Sequence, residues 1–128
     1  MDRVLDEMTS AADLGENDAI EQIVGMYLQL LDEHGGFLQV WGQAGFGDEE
    51  LRRAGMRAKL ATSRRLAVIF KKLGWLPDEQ QDPALVCLAF EVMWDRFWYY
   101  QKVAGLPATH AEVLATLASV VRATITHR

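Results

Sequence analysis

Apolar residues recur along the chain at spacings of three and four, and no stretch alternates strictly between apolar and polar, so the pattern predicts helices and no sheet. Asp18, with Glu21 three residues on, opens a helix on which Ile20, Ile23, Val24, Tyr27, Leu28 and Leu31 share one face. Gly35-Gly36 is expected to break or kink it, leaving a short apolar piece from Phe37 to Trp41 before a connection marked by Gly42, Gly45 and Gly47. Asp48-Glu49-Glu50 places negative charge in the first turn of a helix expected to run to Leu73 and stop at Gly74. Asp82-Pro83 supplies a cap and a first-turn proline for a helix expected to reach Val103 and stop at Gly105. Thr109-His110-Ala111-Glu112 reads as a capping box for a last helix ending near Thr126, and Val4 to Ala12 as a short helix followed by a loop at Gly15. The expected fold is all-α, an antiparallel helical bundle forming a single domain over residues 1–128.

The helix from Pro83 to Val103 has almost no polar face, only a narrow stripe of Glu91, Asp95 and Lys102. At about 100° per residue, Val86, Phe90, Met93, Trp94 and Phe97 fall on one side. Leu85, Leu88, Ala89, Val92, Tyr99, Tyr100 and Val103 fall on the other. A helix apolar on two sides needs cover on both, and one small domain supplies cover for one side more easily than for two. The last helix adds a wide apolar arc through Val113, Leu114, Leu117, Val120, Val121 and Ile125, with Ala111, Ala115, Ala118 and Ala123 permitting close approach. The last two helices are therefore expected to form a two-fold homodimer interface, with Leu88, Val92, Tyr99, Leu117, Val120 and Val121 at its centre. The alternative is a monomer in which these two helices simply pack together.

Eight basic residues and no acidic one follow Glu50 within the helix ending at Leu73. Arg53, Arg57, Arg64 and Lys71, with Arg65 and Lys72 beside them, form a stripe expected to be a solvated face. Arg52, Lys59 and Ser63 instead share the arc of Met56, Leu60, Ala67 and Phe70 and are expected to point inward. Such groups are either satisfied structurally or poised for the polar end of a ligand. Tyr27, Trp41, Phe70, Phe90, Met93, Trp94 and Phe97 supply the aromatic and sulfur-bearing side chains that a pocket between helices needs, with Lys59 and Ser63 to receive a polar or acidic end. An ordinary packed core explains each of those residues singly.

Composition narrows the function. Half of the 128 residues are hydrophobic and the net charge is -5, a globular and acidic balance that opposes nucleic-acid binding without a localised basic patch. The single cysteine, Cys87, lies in an apolar run and suits a reducing cytoplasm, while the amino terminus is unlike a signal peptide. His34, His110 and His127 are too dispersed to suggest a shared site, and no zinc, di-iron or phosphate-loop spacing occurs, so neither a cofactor nor an enzymatic activity is expected.

Five segments carry a resemblance: Met26-Tyr27-Leu28 with Leu31, Phe37 to Trp41, Asp48 to Arg52, Arg64 to Ala67, and Asp95 to Tyr100. With this helix order the chain resembles the carboxyl-terminal ligand-binding and dimerisation part of a TetR-type transcriptional regulator, over nearly its whole length. The resemblance implies a cytoplasmic, homodimeric sensor of a small apolar molecule, with residues 1–14 as the tail of a helix linking it to an amino-terminal DNA-reading module absent from this chain. DNA would then be contacted only through that module. The alternative is a standalone helical carrier or protein-interaction domain without a DNA role.

Overall fold

The computed structural model describes Asp6 and residues 16–44 and 48–125. Four helices follow one another: α1 (Glu16–Ala44), α2 (Glu49–Lys72), α3 (Pro83–Lys102) and α4 (His110–Ile125), with no strand among the described residues. The fold is an all-α helical bundle, as the apolar periodicity requires. Of the expected Val4–Ala12 helix only Asp6 is described; it is helical and accepts a hydrogen bond from Arg65 Nη2 at 3.1 Å. The connection at Gly45 and Gly47 and the expected end at Thr126 lie outside the described residues.

The helix ends follow local chemistry. Asp48 caps α2 by accepting from the Leu51 N–H at 3.1 Å, and Asp82 caps α3 by accepting from the Ala84 N–H at 3.0 Å. The capping box of α4 is reciprocal: Thr109 N–H donates to Glu112 Oε1 at 3.0 Å and Glu112 N–H donates to Thr109 Oγ1 at 3.1 Å. Hydrogen bonding with Thr109, through its backbone first and its side chain second, holds the Glu112 carboxyl below its ordinary range. Gly74 and Gly105 adopt φ of 99° and 82° just past α2 and α3, the left-handed stop that glycine provides without strain.

One expected boundary fails. The Gly35-Gly36 pair does not break α1, which continues through it to Ala44. Gly35 instead allows α3 to approach: a Cβ at position 35 would overlap the Trp98 ring, whose Nε1 donates to Asp32 Oδ1 at 2.8 Å. The propensity penalty for an interior glycine is only about 1 kcal/mol, small enough for a close helix–helix contact to offset. A glycine read as punctuation is here a contact surface.

α2 packs chiefly on α3, and α1 packs on both α4 and α3. The core runs from Ile20, Ile23, Leu28 and Leu31 of α1 through Leu66, Ile69 and Phe70 of α2 to Cys87, Phe90 and Trp94 of α3 and Val113, Leu117, Val121 and Ile125 of α4. This corrects part of the expected interface. Leu117 and Val121 are fully enclosed within the single chain, because the apolar arc of α4 turns onto α1, whereas Val120 is 42% exposed. On α3, Val92 is 55% exposed, Leu88 and Tyr99 are partly buried, and Leu85, Tyr100 and Val103 extend an apolar line along the outside.

The inward arc of α2 begins only at Thr62 and Ser63, with Lys59 just ahead of it partly buried. Arg52, expected inside, is exposed and lies 3.7 Å from Glu49; Met56 of the same arc is exposed as well. The basic stripe is a solvated face as expected: Arg53, Arg57, Arg64, Lys71 and Lys72 are exposed, and Arg53 pairs with Glu49 at 2.8 Å.

Candidate functional site

The inward polar pair of α2 meets a second polar pair on α3. Lys59 and Ser63 are four residues apart, and so are Glu91 and Asp95; the residues match in reverse order, as antiparallel neighbours must. Lys59 Nζ donates to Asp95 Oδ2 at 2.6 Å, and Ser63 Oγ lies in a very short hydrogen bond with Glu91 Oε2. Tyr27 enters from α1 between them. Its hydroxyl donates to Asp95 Oδ1 at 2.8 Å, accepts from Lys59 Nζ at 2.9 Å, and lies only 3.5 Å from Glu91 Oε1. Lys59 also sits over the Tyr27 ring, 5.7 Å from its centroid. Three helices thus converge on one polar knot inside an apolar bundle.

The single Tyr27 proton goes to Asp95, the nearer acceptor. Ser63 Oγ also lies 3.0 Å from the Lys59 carbonyl oxygen, to which its proton can go. Glu91 Oε2 is the other acceptor of the Ser63 hydroxyl, and Glu91 Oε1 lies 3.5 Å from the Tyr27 hydroxyl and 3.9 Å from Lys59 Nζ. Burial acts against the ionised form: Glu91 is 1% exposed, and desolvation outweighs the opposing help from Ser63, Lys59 and Tyr27, pushing its carboxyl above the ordinary range. Burial, followed by the nearby Asp95 and Glu91 carboxylates, keeps Tyr27 far above its ordinary value and so a neutral donor. Lys59 is matched by Asp95 at 2.6 Å, and burial makes the Glu91 carboxyl hold its proton more tightly than an exposed glutamate does.

Against the knot runs a chain of rings. Tyr27 meets Trp94 edge-on with centroids 4.9 Å apart, Trp94 stacks on Phe90 at 6.1 Å, and Phe90 meets Phe70 edge-on at 5.9 Å. Met93 and Phe97 flank this chain, only partly buried. The structure therefore brings together Tyr27, Lys59, Ser63, Phe70, Phe90 and Trp94; the side chain of Trp41 lies outside the described ones.

Two members of the knot, Glu91 and Asp95, were assigned by the sequence pattern to a thin polar stripe and not to the site. Their signal was the shared i, i+4 spacing with Lys59 and Ser63, which becomes informative once α2 and α3 are known to be antiparallel neighbours. Lys59 already donates to Tyr27 and Asp95, and Ser63 has acceptors in the Lys59 carbonyl and Glu91, so an acidic ligand end beside Lys59 would share it with Asp95.

Cys87 is buried one turn before Glu91, and burial pushes its thiol up to about 12, leaving it unreactive. Among the described residues no cluster of histidine, cysteine and carboxylate side chains could hold a metal, and no helix is long and apolar enough to cross a membrane. No family model, curated protein or solved structure matches the chain.

Proposed function

We propose that the chain is the effector-binding and dimerisation domain of a TetR-type transcriptional regulator, which senses a small apolar molecule and controls DNA binding by the full regulator. The observation that carries the reading is the outer face of α3. Leu85, Val92, Tyr100 and Val103 form an exposed apolar line on α3, and Val120 is exposed on α4, the two helices expected to pair with a second copy. Burying such half-exposed side chains against a symmetry mate contributes roughly 1 kcal/mol each, and a dimer multiplies every such contact by two. Support for a sensor comes from the other side of the same helix, where the ring chain and the polar knot join α1, α2 and α3. A ligand that separates those helices more easily in one arrangement than in another biases the equilibrium between the two.

Native mass spectrometry of the purified chain tests this directly. A dimer mass, with retention of small apolar molecules from a screening library, is the expected result. A monomer at high micromolar concentration that retains none would remove the reading. A helix-turn-helix module encoded in frame immediately upstream is also expected, and finding none there would favour a standalone carrier.

A further inference from the structure

The Trp94 ring is 0% exposed, yet its indole Nε1–H has no hydrogen-bond partner. Buried donors are nearly always paired, and an indole N–H can only donate, so rotation cannot satisfy it. The two carboxyl groups on the same helix are bonded elsewhere. Asp95 accepts from Tyr27 and Lys59, and Glu91 is bonded to Ser63. The rest of the ring faces Tyr27 and Phe90. On the same helix Met93 and Phe97 pack against the core without being fully buried, and the unbranched thioether of Met93 can move aside more readily than a branched side chain.

Resting on the effector-binding reading above, we infer that Trp94 Nε1 is the polar recognition point of the effector site, and that the effector is an uncharged aromatic or aliphatic molecule carrying one hydrogen-bond acceptor such as a carbonyl. The molecule enters past Met93 and Phe97, lies along the Phe90 and Trp94 rings, and places its acceptor on the indole N–H. Charge selects against anions. Lys59, the only cation of the knot, is matched by Asp95, so an anion brought beside it meets a carboxylate and a second carboxyl group in Glu91. An uncharged acceptor satisfies the indole without disturbing that balance. The ligand class thus differs from the acidic molecule that an inward lysine alone suggests.

Three probes of one shape test the assignment: 2-acetylnaphthalene, 2-ethylnaphthalene and 2-naphthoate. Calorimetry on the intact chain should give an affinity for the ketone about tenfold above that for the hydrocarbon, as one gained hydrogen bond implies, with the carboxylate weakest. In Trp94→Phe, which keeps a ring and removes the donor, the ketone and hydrocarbon should bind equally. Should that variant fail to fold, the wild-type protein supplies the answer through the ¹⁵N–¹H indole resonance of Trp94, identified by its contacts to Phe90. The ketone should move that resonance downfield, and the hydrocarbon should leave its proton shift far less changed. Equal binding of ketone and hydrocarbon to the wild type, or a ketone preference that survives Trp94→Phe, would overturn the role of Trp94 and leave the effector reading standing. An indole resonance that shows a long-lived bound water and ignores the ketone would do the same. Binding of none of the probes would overturn this assignment, whereas the effector reading falls only if the wider apolar library also fails.

Discussion

Glu91 and Val92 are neighbours on α3, yet the carboxylic acid is 1% exposed and the valine 55% exposed. A ranking by hydrophobicity alone would exchange them. The inner face accepts the acid because Ser63 and Tyr27 arrive from two other helices to meet it, and the outer face leaves the valine bare because no element among the described residues covers it. The inner face thus describes how the chain holds itself together, and the outer face is where apolar side chains stay exposed. Helix α3 separates the two tasks by about half a turn.

Substitutions on the two faces should consequently separate folding from association. The largest effect is expected at Glu91→Ala, which removes the buried hydrogen-bond partner of Ser63 and leaves a void. Protomer stability should fall by about 3 kcal/mol in chemical denaturation, and a loss under 1 kcal/mol would mean that the knot contributes little.

Gly35→Ala follows, because the new Cβ overlaps the Trp98 ring and forces α1 and α3 apart. About 2 kcal/mol of stability should be lost, in contrast to Gly25→Ala, whose Cβ would make ordinary contact with Leu114 Cδ1 at 3.9 Å. That second change should stabilise the fold by up to about 1 kcal/mol through helix propensity. Equal responses at the two glycines would contradict the close approach of Trp98.

The pH dependence of the inner face has a defined sign. Because the folded-state value of Glu91 is raised, the native state holds this proton more tightly than the unfolded chain does. The stability contributed by Glu91 is therefore complete below the ordinary glutamate range and is lost as pH rises through the elevated folded value. The stability difference between wild type and Glu91→Gln should shift against the wild type across that interval. A difference that stays flat would place the carboxyl at its ordinary value.

Smallest is the effect of Val92→Ser on the fold itself, expected to stay within about 0.5 kcal/mol when the protein is held dilute. Association should weaken all the same. A large loss of stability in dilute protein would show that Val92 is covered by its own chain.

How far the sequence carries this picture depends on whether a feature is local. Caps, glycine stops and the reciprocal box at Thr109 and Glu112 depend on residues within four positions of each other, and they could be read directly. The inward placement of Lys59 and Ser63 followed from helical period. Their partners did not, because Glu91 and Asp95 acquire their role only when α3 lies antiparallel to α2. Gly35 misled for the same reason: glycine in a helix signals either a break or a close neighbour, and only the Trp98 ring from another helix distinguishes them. Leu117 and Val121 were placed on the wrong side because a wide apolar arc does not say which part of it the chain covers itself.

The central claim is that the outer face of α3, with Val120 of α4, is closed by a second copy of the chain. Sedimentation velocity on the wild type and on Val92→Glu/Val120→Glu, both checked for helical content by circular dichroism, measures it most directly. The account predicts a wild-type dimer at micromolar concentration and a helical monomer for the double variant, since two charges per protomer would have to be desolvated at the interface. A wild-type monomer at high micromolar concentration, or a double variant that still dimerises, would contradict it.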